Sequence, residues 1–203
     1  MAERIALIDY GAGNLHSVAN ALKAAGAGTV EITASAAVVA CADRIVLPGV
    51  GAFGACAAAL RALPGMTEAL TVRVIGGGVP FLGICVGMQL MAERGLEFGT
   101  HAGLGWISGE VARMEPVDAR AKIPHMGWND VVPQSPHPLI DAGEAYFLHS
   151  YAFSGHDVVA TTMHGGPVVA AVGRANMLGV QFHPEKSQRY GLALLERFLK
   201  WRP

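Results

Sequence analysis

The chain has 203 residues, 52% of them hydrophobic and only 15% charged, with a formal net charge of −1. That length can bury a full core, and the near-neutral balance excludes nucleic acid or an anionic membrane as the main partner while leaving surface for a protein–protein contact. No apolar run reaches the roughly 20 residues of a membrane-spanning helix, and the N-terminal stretch lacks a basic region followed by a long apolar core, so a cytoplasmic protein is expected.

Three cysteines without paired spacing make neither a disulfide framework nor a zinc knuckle. The eight histidines include no HExxH pattern, so neither a metal nor a cofactor is expected. Ile5 to Ile8 is a continuous apolar run that reads as a buried parallel strand. The loop Tyr10-Gly11-Ala12-Gly13-Asn14 follows, then a helix from Ser17 to Ala25 with Gly26 as its stop. A third glycine is missing at the place a dinucleotide fingerprint needs it, where Ser17 lies beyond, so that reading is rejected.

Val30 to Thr33 and Arg44 to Leu47 read as further strands. The second runs into Pro48-Gly49-Val50-Gly51, at the strand end where open α/β sheets place their sites. Pro and Gly would equally serve a plain turn there. Ala55 to Leu63 and Met66 to Ile75 are expected helices divided by Pro64-Gly65, and Gly76 to Gly78 ends the second. The strand–helix alternation implies a parallel sheet covered on both faces.

Phe81 to Met91 is the stretch around which the chain is organised. An apolar run ends in Gly83-Ile84-Cys85-Val86-Gly87 and passes into helix-forming residues, the layout of a nucleophile elbow with cysteine in place of serine. The two glycines leave room for a sharp turn that projects the Cys85 side chain above the sheet. A following helix favours thiolate by up to about 1 kcal/mol, less than one pKa unit, so a second helper is required, normally an imidazole. Cys41 and Cys56 lack flanking glycines at this spacing and read as small buried hydrophobes.

After Gly105 short β-like runs replace helices: Gly109 to Met114, Trp128 to Val132, Tyr146 to His149, Val158 to Met163 and Val168 to Val172. They are expected to form antiparallel strands beside or extending the parallel sheet, within one domain spanning 1–203. The fold class is therefore α/β, a mostly parallel central sheet flanked by helices with a smaller antiparallel portion in the C-terminal half. Gly179 to Glu185 is a strand running into a loop. Pro184 biases His183 to an extended backbone, in which Glu185, two residues on, points the same way and reaches the imidazole. A carboxylate on one ring nitrogen leaves the other for Cys85. His101, His137 and His156 are expected at the surface, while His125, His149 and His164 have no clear role. Tyr190 to Trp201 is the closing helix, with Leu194, Leu195 and Phe198 inward.

DYGAGNLHSV (9–18), LPGVGAF (47–53), GICVGMQ (83–89), IPHMGWN (123–129), YFLHSY (146–151) and GVQFHPEKS (179–187) together resemble the class I glutamine amidotransferases, over nearly the whole length. DYGAGN with PHMGWN is similar to the glutaminase subunits of imidazole glycerol phosphate synthase. Val86 stands where leucine is more familiar, a mild change because the backbone N–H is what matters there.

The resemblance implies that Cys85 attacks the side-chain amide of glutamine, that His183 protonates the leaving ammonia and then activates water, and that Glu185 holds His183. It implies Val50 or Gly51, with Val86, as oxyanion donors, and Gln89, Glu97, His149, Ser150 and Tyr151 as glutamine-binding residues. Asn14, Trp128, Asn129 and Lys186 match positions facing a partner, although an isolated Trp128 would more often be core. The implied partner is a (β/α)8-barrel cyclase in a heterodimer, which uses the ammonia to make imidazole glycerol phosphate and aminoimidazole carboxamide ribonucleotide in histidine biosynthesis. The alternatives are the glutaminase subunit of another synthase, for anthranilate or pyridoxal phosphate, or a thiol peptidase or inactive scaffold with the same elbow.

Overall fold

The computed structural model describes residues 3–118 and 120–203. In chain order the first half gives β1 (Arg4–Ile8), α1 (Leu15–Ala24), β2 (Thr29–Thr33), α2 (Ala36–Ala40), β3 (Arg44–Leu47), α3 (Phe53–Ala62), α4 (Met66–Thr71), β4 (Phe81–Ile84) and α5 (Val86–Gln89). The second half gives β5 (Ala92–Gly95), β6 (His101–Ala102), β7 (Ile107–Arg113), β8 (His125–Pro133), β9 (Gly143–His149), β10 (Tyr151–Gly155), β11 (Val158–Met163), β12 (Pro167–Arg174), β13 (Met177–Val180) and α6 (Gln188–Lys200).

Among the described residues the strands form a nine-stranded sheet, ordered β2-β1-β3-β4-β13-β12-β11-β8-β9, and a four-stranded sheet, ordered β10-β7-β5-β6. The pairs from β2 through β13 are parallel, and those from β13 onward are antiparallel. β1, β3, β4 and β13 are apolar and almost wholly buried because helices or other layers cover both of their faces. α6 closes the core with Leu194, Leu195 and Phe198, as its periodicity predicts.

Several expectations change. The helix after the elbow lasts only four residues, Val86–Gln89, because Ala92–Gly95 leaves to pair with β7 in the second sheet. Its dipole is correspondingly small. The Met66 to Ile75 helix is regular only to Thr71 and finishes as a π-helical turn over Val72–Gly76. Cys41 is exposed rather than buried. Trp128 is 47% exposed, not core. His137 is half-buried against Trp201, with ring centroids 5.6 Å apart, and His101 is half-buried beside Gly54.

Candidate active site

Three neighbouring parallel strands bring the candidate residues to one edge. β4 lies between β3 and β13, with Leu47 opposite Gly83 and Val180 opposite Ile84. The three strands therefore end at the same level. Beyond β4 comes Cys85, beyond β3 the Pro48–Gly51 loop, and beyond β13 the segment that carries His183.

Cys85 has φ 54 and ψ −113, a region that side chains rarely occupy, and a residue held there costs about 1–3 kcal/mol. Its amide donates to the Val180 carbonyl at 2.8 Å, which ties the turn to β13. The flanking glycines are needed for closeness. A Cβ on Gly83 would lie 2.8 Å from the Gly87 carbonyl oxygen, and one on Gly87 only 1.8 Å from that of Leu47. The elbow is thus clamped directly onto the neighbouring strand.

His183 is 2% exposed, and its Nδ1 meets Glu185 Oε1 at 2.8 Å. The route to this contact differs from the one expected. His183 itself is extended, at φ −101 and ψ 99, but Pro184–Lys186 forms a 3-10 turn. That turn folds the carboxylate back under the ring. Ser187 fixes the segment, its hydroxyl donating to the His183 carbonyl at 2.6 Å and accepting from the Tyr146 amide at 2.9 Å.

Burial opposes charge on the His183 ring, but hydrogen bonding to Cys85 and Glu185, reinforced by their charges, overcomes it and raises the pKa to about 9. At neutral pH this is an imidazolium, and it lines the same cavity as Cys85. Gln181 Nε2 adds a second donor, 3.7 Å from Cys85 Sγ.

The sulfur opens into a cavity of about 540 Å³, within the range of small-molecule sites. Val50, Gly51, Val86, Gln89, Glu97, His149, Ser150, Tyr151 and Lys186 all line it with Cys85 and His183. Glu185 sits behind His183, and Asn14, Trp128 and Asn129 lie outside the cavity lining. Two of the lining residues also hold the walls together. Gln89 Nε2 donates to Tyr151 O and Gln181 Oε1, both at 3.0 Å, and Glu97 Oε2 accepts the Phe53 amide at 2.7 Å.

The sequence reading missed Gln181 and Arg113. Gln181 was within reach of it: on an extended segment residue i−2 shares the face of His183. Arg113, at the end of β7, supplies a cation to the cavity wall that is suited to a substrate carboxylate, and nothing local marks it. Phe98, 89% exposed at φ 54, sits at the rim.

Outside the lining, Trp128 packs edge-on against Tyr146 with centroids 6.2 Å apart, and Lys186 Nζ lies 5.9 Å above the same ring. Met126 and Trp128 on β8 stand opposite Leu148 and Tyr146 on β9, and Met126, Trp128 and Leu148 are exposed. Asn14 is exposed just before α1.

Of the histidines without a clear role, His125 and His149 are buried and meet each other, and His164 is half-buried beside them. His149 Nδ1 donates to the Tyr151 carbonyl at 2.9 Å, and its Nε2 meets His125 Nδ1 at 3.0 Å. Asn129 Nδ2 meets His125 Nε2 at 3.0 Å, and His164 stacks on His125 at 4.1 Å. With a carbonyl fixing one end, the neutral tautomers of His149 and His125 follow: each Nδ1 is a donor and each Nε2 an acceptor, whereas His164 donates from Nε2 to the Lys122 carbonyl at 2.8 Å. Burial, followed by repulsion from neighbouring histidines, lowers the His125 pKa to about 3. For His149 the same burial outweighs its bond to Tyr151 O, and the pKa falls to about 4.

These shifts fix a pH dependence of stability. His125 and His149, depressed in the fold, contribute fully above pH 6.5 and lose that contribution as pH falls towards 4 and 3. His183, raised in the fold, contributes fully below pH 6.5 and loses its contribution as pH rises through about 9. The histidine contribution therefore peaks near pH 6.5. Urea unfolding is expected to show a loss of about 2 kcal/mol for each of His125 and His149 between pH 6.5 and pH 5. His125→Gln should flatten that acid limb, and an unchanged limb in the variant would refute the assignment.

A thiol, an imidazole and a carboxylate gathered at the carboxyl edge of a mostly parallel sheet, behind a strained strand-to-helix turn, define an α/β enzyme of the nucleophile-elbow kind. The chain belongs to the class-I glutamine amidotransferases: residues 6–201 match the family described as glutamine amidotransferase class-I.

Among its relatives, "Imidazole glycerol phosphate synthase subunit HisH" of Zymomonas mobilis subsp. mobilis is 60% identical over 205 residues, covering 98% of this chain and 96% of that protein. The protein of the same description from Brucella suis is 53% identical over 215 residues, covering 98% and 100%. A solved structure described as a glutamine amidotransferase superposes with a TM-score of 0.74 at 18% identity, covering 96% of this chain and 97% of that one. PurLQS from Thermotoga maritima gives 0.71 at 17% identity, covering 98% and 99%. At such identities the structures are alike in fold alone.

Proposed function

We propose that this chain is the glutaminase subunit of an imidazole glycerol phosphate synthase, hydrolysing glutamine to glutamate and ammonia for a partner cyclase in histidine biosynthesis. The observation that carries the chemistry is the buried His183, bonded through Nδ1 to Glu185 at 2.8 Å and lining one cavity with Cys85, which together with Glu185 raises its pKa. The subunit assignment rests on relatives such as the one 60% identical over almost the full length.

The Cys85 sulfur adds to the side-chain carbonyl carbon of glutamine, and the carbonyl π electrons move onto oxygen. N–H groups of Val50 or Gly51 and of Val86 meet that oxyanion, each donor being worth about 2.7–4 kcal/mol in the transition state. The tetrahedral adduct collapses, the C–N bond breaks, and imidazolium His183 passes its proton to the departing nitrogen, which leaves as ammonia. A water then attacks the thioester while the now neutral His183 takes its proton, and breaking the C–S bond frees glutamate and restores the starting pair. A pKa near 9 suits the first half, because the acid is already loaded at neutral pH.

Gln89, Glu97, His149, Ser150 and Tyr151 bind glutamine, with Arg113 placed for its α-carboxylate. Trp128, Asn129, Lys186 and Asn14 face the partner, a (β/α)8-barrel cyclase. The exposed apolar side chains Met126, Trp128 and Leu148 fit such a contact. The whole chain acts as one amidotransferase domain in the cytoplasm. Among the described residues no helix is long and apolar enough to cross a membrane.

The test is ammonia release from glutamine, measured with and without the candidate cyclase and its nucleotide. Activity that rises on docking and is consumed by the cyclase supports the reading. Peptide cleavage without a partner, or rates unchanged by the cyclase, overturns it.

A further inference from the structure

The mechanism leaves one buried thiol unused. Cys56, in α3 and 2% exposed, donates its S–H to the Val50 carbonyl at 3.4 Å. Across the loop, Tyr10, 4% exposed, donates its hydroxyl to the Pro48 carbonyl at 2.7 Å. Burial is the main cause that raises the pKa of both, so each keeps its proton and remains a donor at working pH.

The two carbonyls held are those on either side of the Gly49–Val50 peptide. In a planar trans peptide the C=O and N–H point opposite ways. A Val50 carbonyl turned to Cys56 therefore turns the Gly51 N–H away from α3, on the stretch where Val50 and Gly51 line the cavity with Cys85. Gly49 sets how tightly the loop is held. A Cβ there would lie 2.7 Å from the Gly87 amide nitrogen and 2.7 Å from the Tyr10 hydroxyl. The loop is pressed between Tyr10 and the elbow. Without such anchors, Gly49 and a Gly51 at φ +105 would leave its amides free to reorient.

We propose that Tyr10 and Cys56 are positioning residues for the oxyanion site, holding the Pro48 and Val50 carbonyls so that the intervening and following amides keep their direction beside Cys85. This rests on the reading that the loop supplies oxyanion donors. Neither side chain touches substrate. Their effect is felt where charge develops on the substrate oxygen and not where glutamine is bound.

The experiment compares Tyr10→Phe, Cys56→Ala and Cys56→Ser with the parent protein, each co-expressed with the candidate cyclase. Three quantities are read: kcat and KM for glutamine, the thermal midpoint, and the rate at which iodoacetamide alkylates Cys85, resolved from exposed Cys41 by peptide mass spectrometry. Displacement at the iodoacetamide carbon forms no oxyanion, so it reports thiolate reactivity without the loop.

Tyr10→Phe and Cys56→Ala are expected to lower kcat by about tenfold, with KM and the alkylation rate changed by less than about twofold. Cys56→Ser, which keeps a donor in place, should recover part of the loss. Unchanged kcat in both, an equal fall in alkylation, or no recovery by serine overturns the proposal. Val50→Pro separates the two levels. If it lowers kcat while Tyr10→Phe and Cys56→Ala do not, only the positioning role falls. If it too leaves kcat intact, the Val50 N–H is excluded as an oxyanion donor and the proposal, which needs the amide between the two held carbonyls, falls with it.

Discussion

Cys85→Ala is expected to reduce glutamine hydrolysis by at least about 10⁴-fold while leaving the fold and partner docking in place. The size follows from what is lost. The thioester path disappears altogether, and what remains is whatever the oxyanion donors and bound geometry can do for direct attack by water. Structure should be spared because Cys85 is 4% exposed in a tight turn that alanine occupies with one atom fewer, so the cavity is small. The same variant tests the electrostatics. Removing the sulfur takes away one of the groups that raise the His183 pKa, so a ring titration followed by NMR should move down from about 9. Glutamine hydrolysis at normal rates in Cys85→Ala would end the catalytic reading. Glu185→Gln should weaken activity less, since the amide keeps a hydrogen-bonding neighbour on His183 Nδ1.

Gly87→Ala should carry the largest cost in stability, more than about 3 kcal/mol in urea unfolding. Its Cβ would fall 1.8 Å from the Leu47 carbonyl oxygen. Neither party to that clash can yield cheaply. Leu47 ends β3, which is paired with β1 on one side and β4 on the other, and Gly87 sits two residues after the strained Cys85. A flexible side chain could swing aside, but two backbones cannot. Gly76→Ala is the matched control. A Cβ there meets nothing within 4 Å, so that variant should be neutral or gain up to about 1 kcal/mol from reduced freedom of the unfolded chain. A loss below about 1 kcal/mol for Gly87→Ala would mean that the elbow is not braced against β3.

Much of this organisation is legible in the order of residues. β1, β3 and β4 are short apolar runs flanked by Asp, Gly or Pro, and a strand buried on both faces has to be written that way. Gly83 and Gly87 around Cys85 announce a turn that no other residue type would permit. The expected Glu185–His183 contact is present, but for a different reason. Alternation along an extended segment suggested it, whereas a 3-10 turn starting at Pro184 produces it. Ala92–Gly95 escaped notice because two of its four residues, Glu93 and Arg94, are charged and exposed, and it pairs only with segments further along the chain. Trp128 taken alone would read as core, since an aromatic on a strand does so until the face it occupies is known, whereas the resemblance set it among the partner-facing positions and it is exposed. The histidine network was equally hidden, because it depends on β8 and β9 aligning His125 opposite His149.

By itself the sequence determined which side chains could carry the chemistry and the local backbone each one sits on, because apolar periodicity, glycine and proline act over a few residues. Only the tertiary structure decided that β13 pairs with β4 across nearly a hundred residues of intervening chain, which puts His183 beside Cys85, and that α3 and Tyr10 reach the loop after β3. The reason is physical. Local propensities act between neighbours in the chain, whereas strand order and register are settled by burying the apolar faces of all the elements together, a condition that no single segment contains.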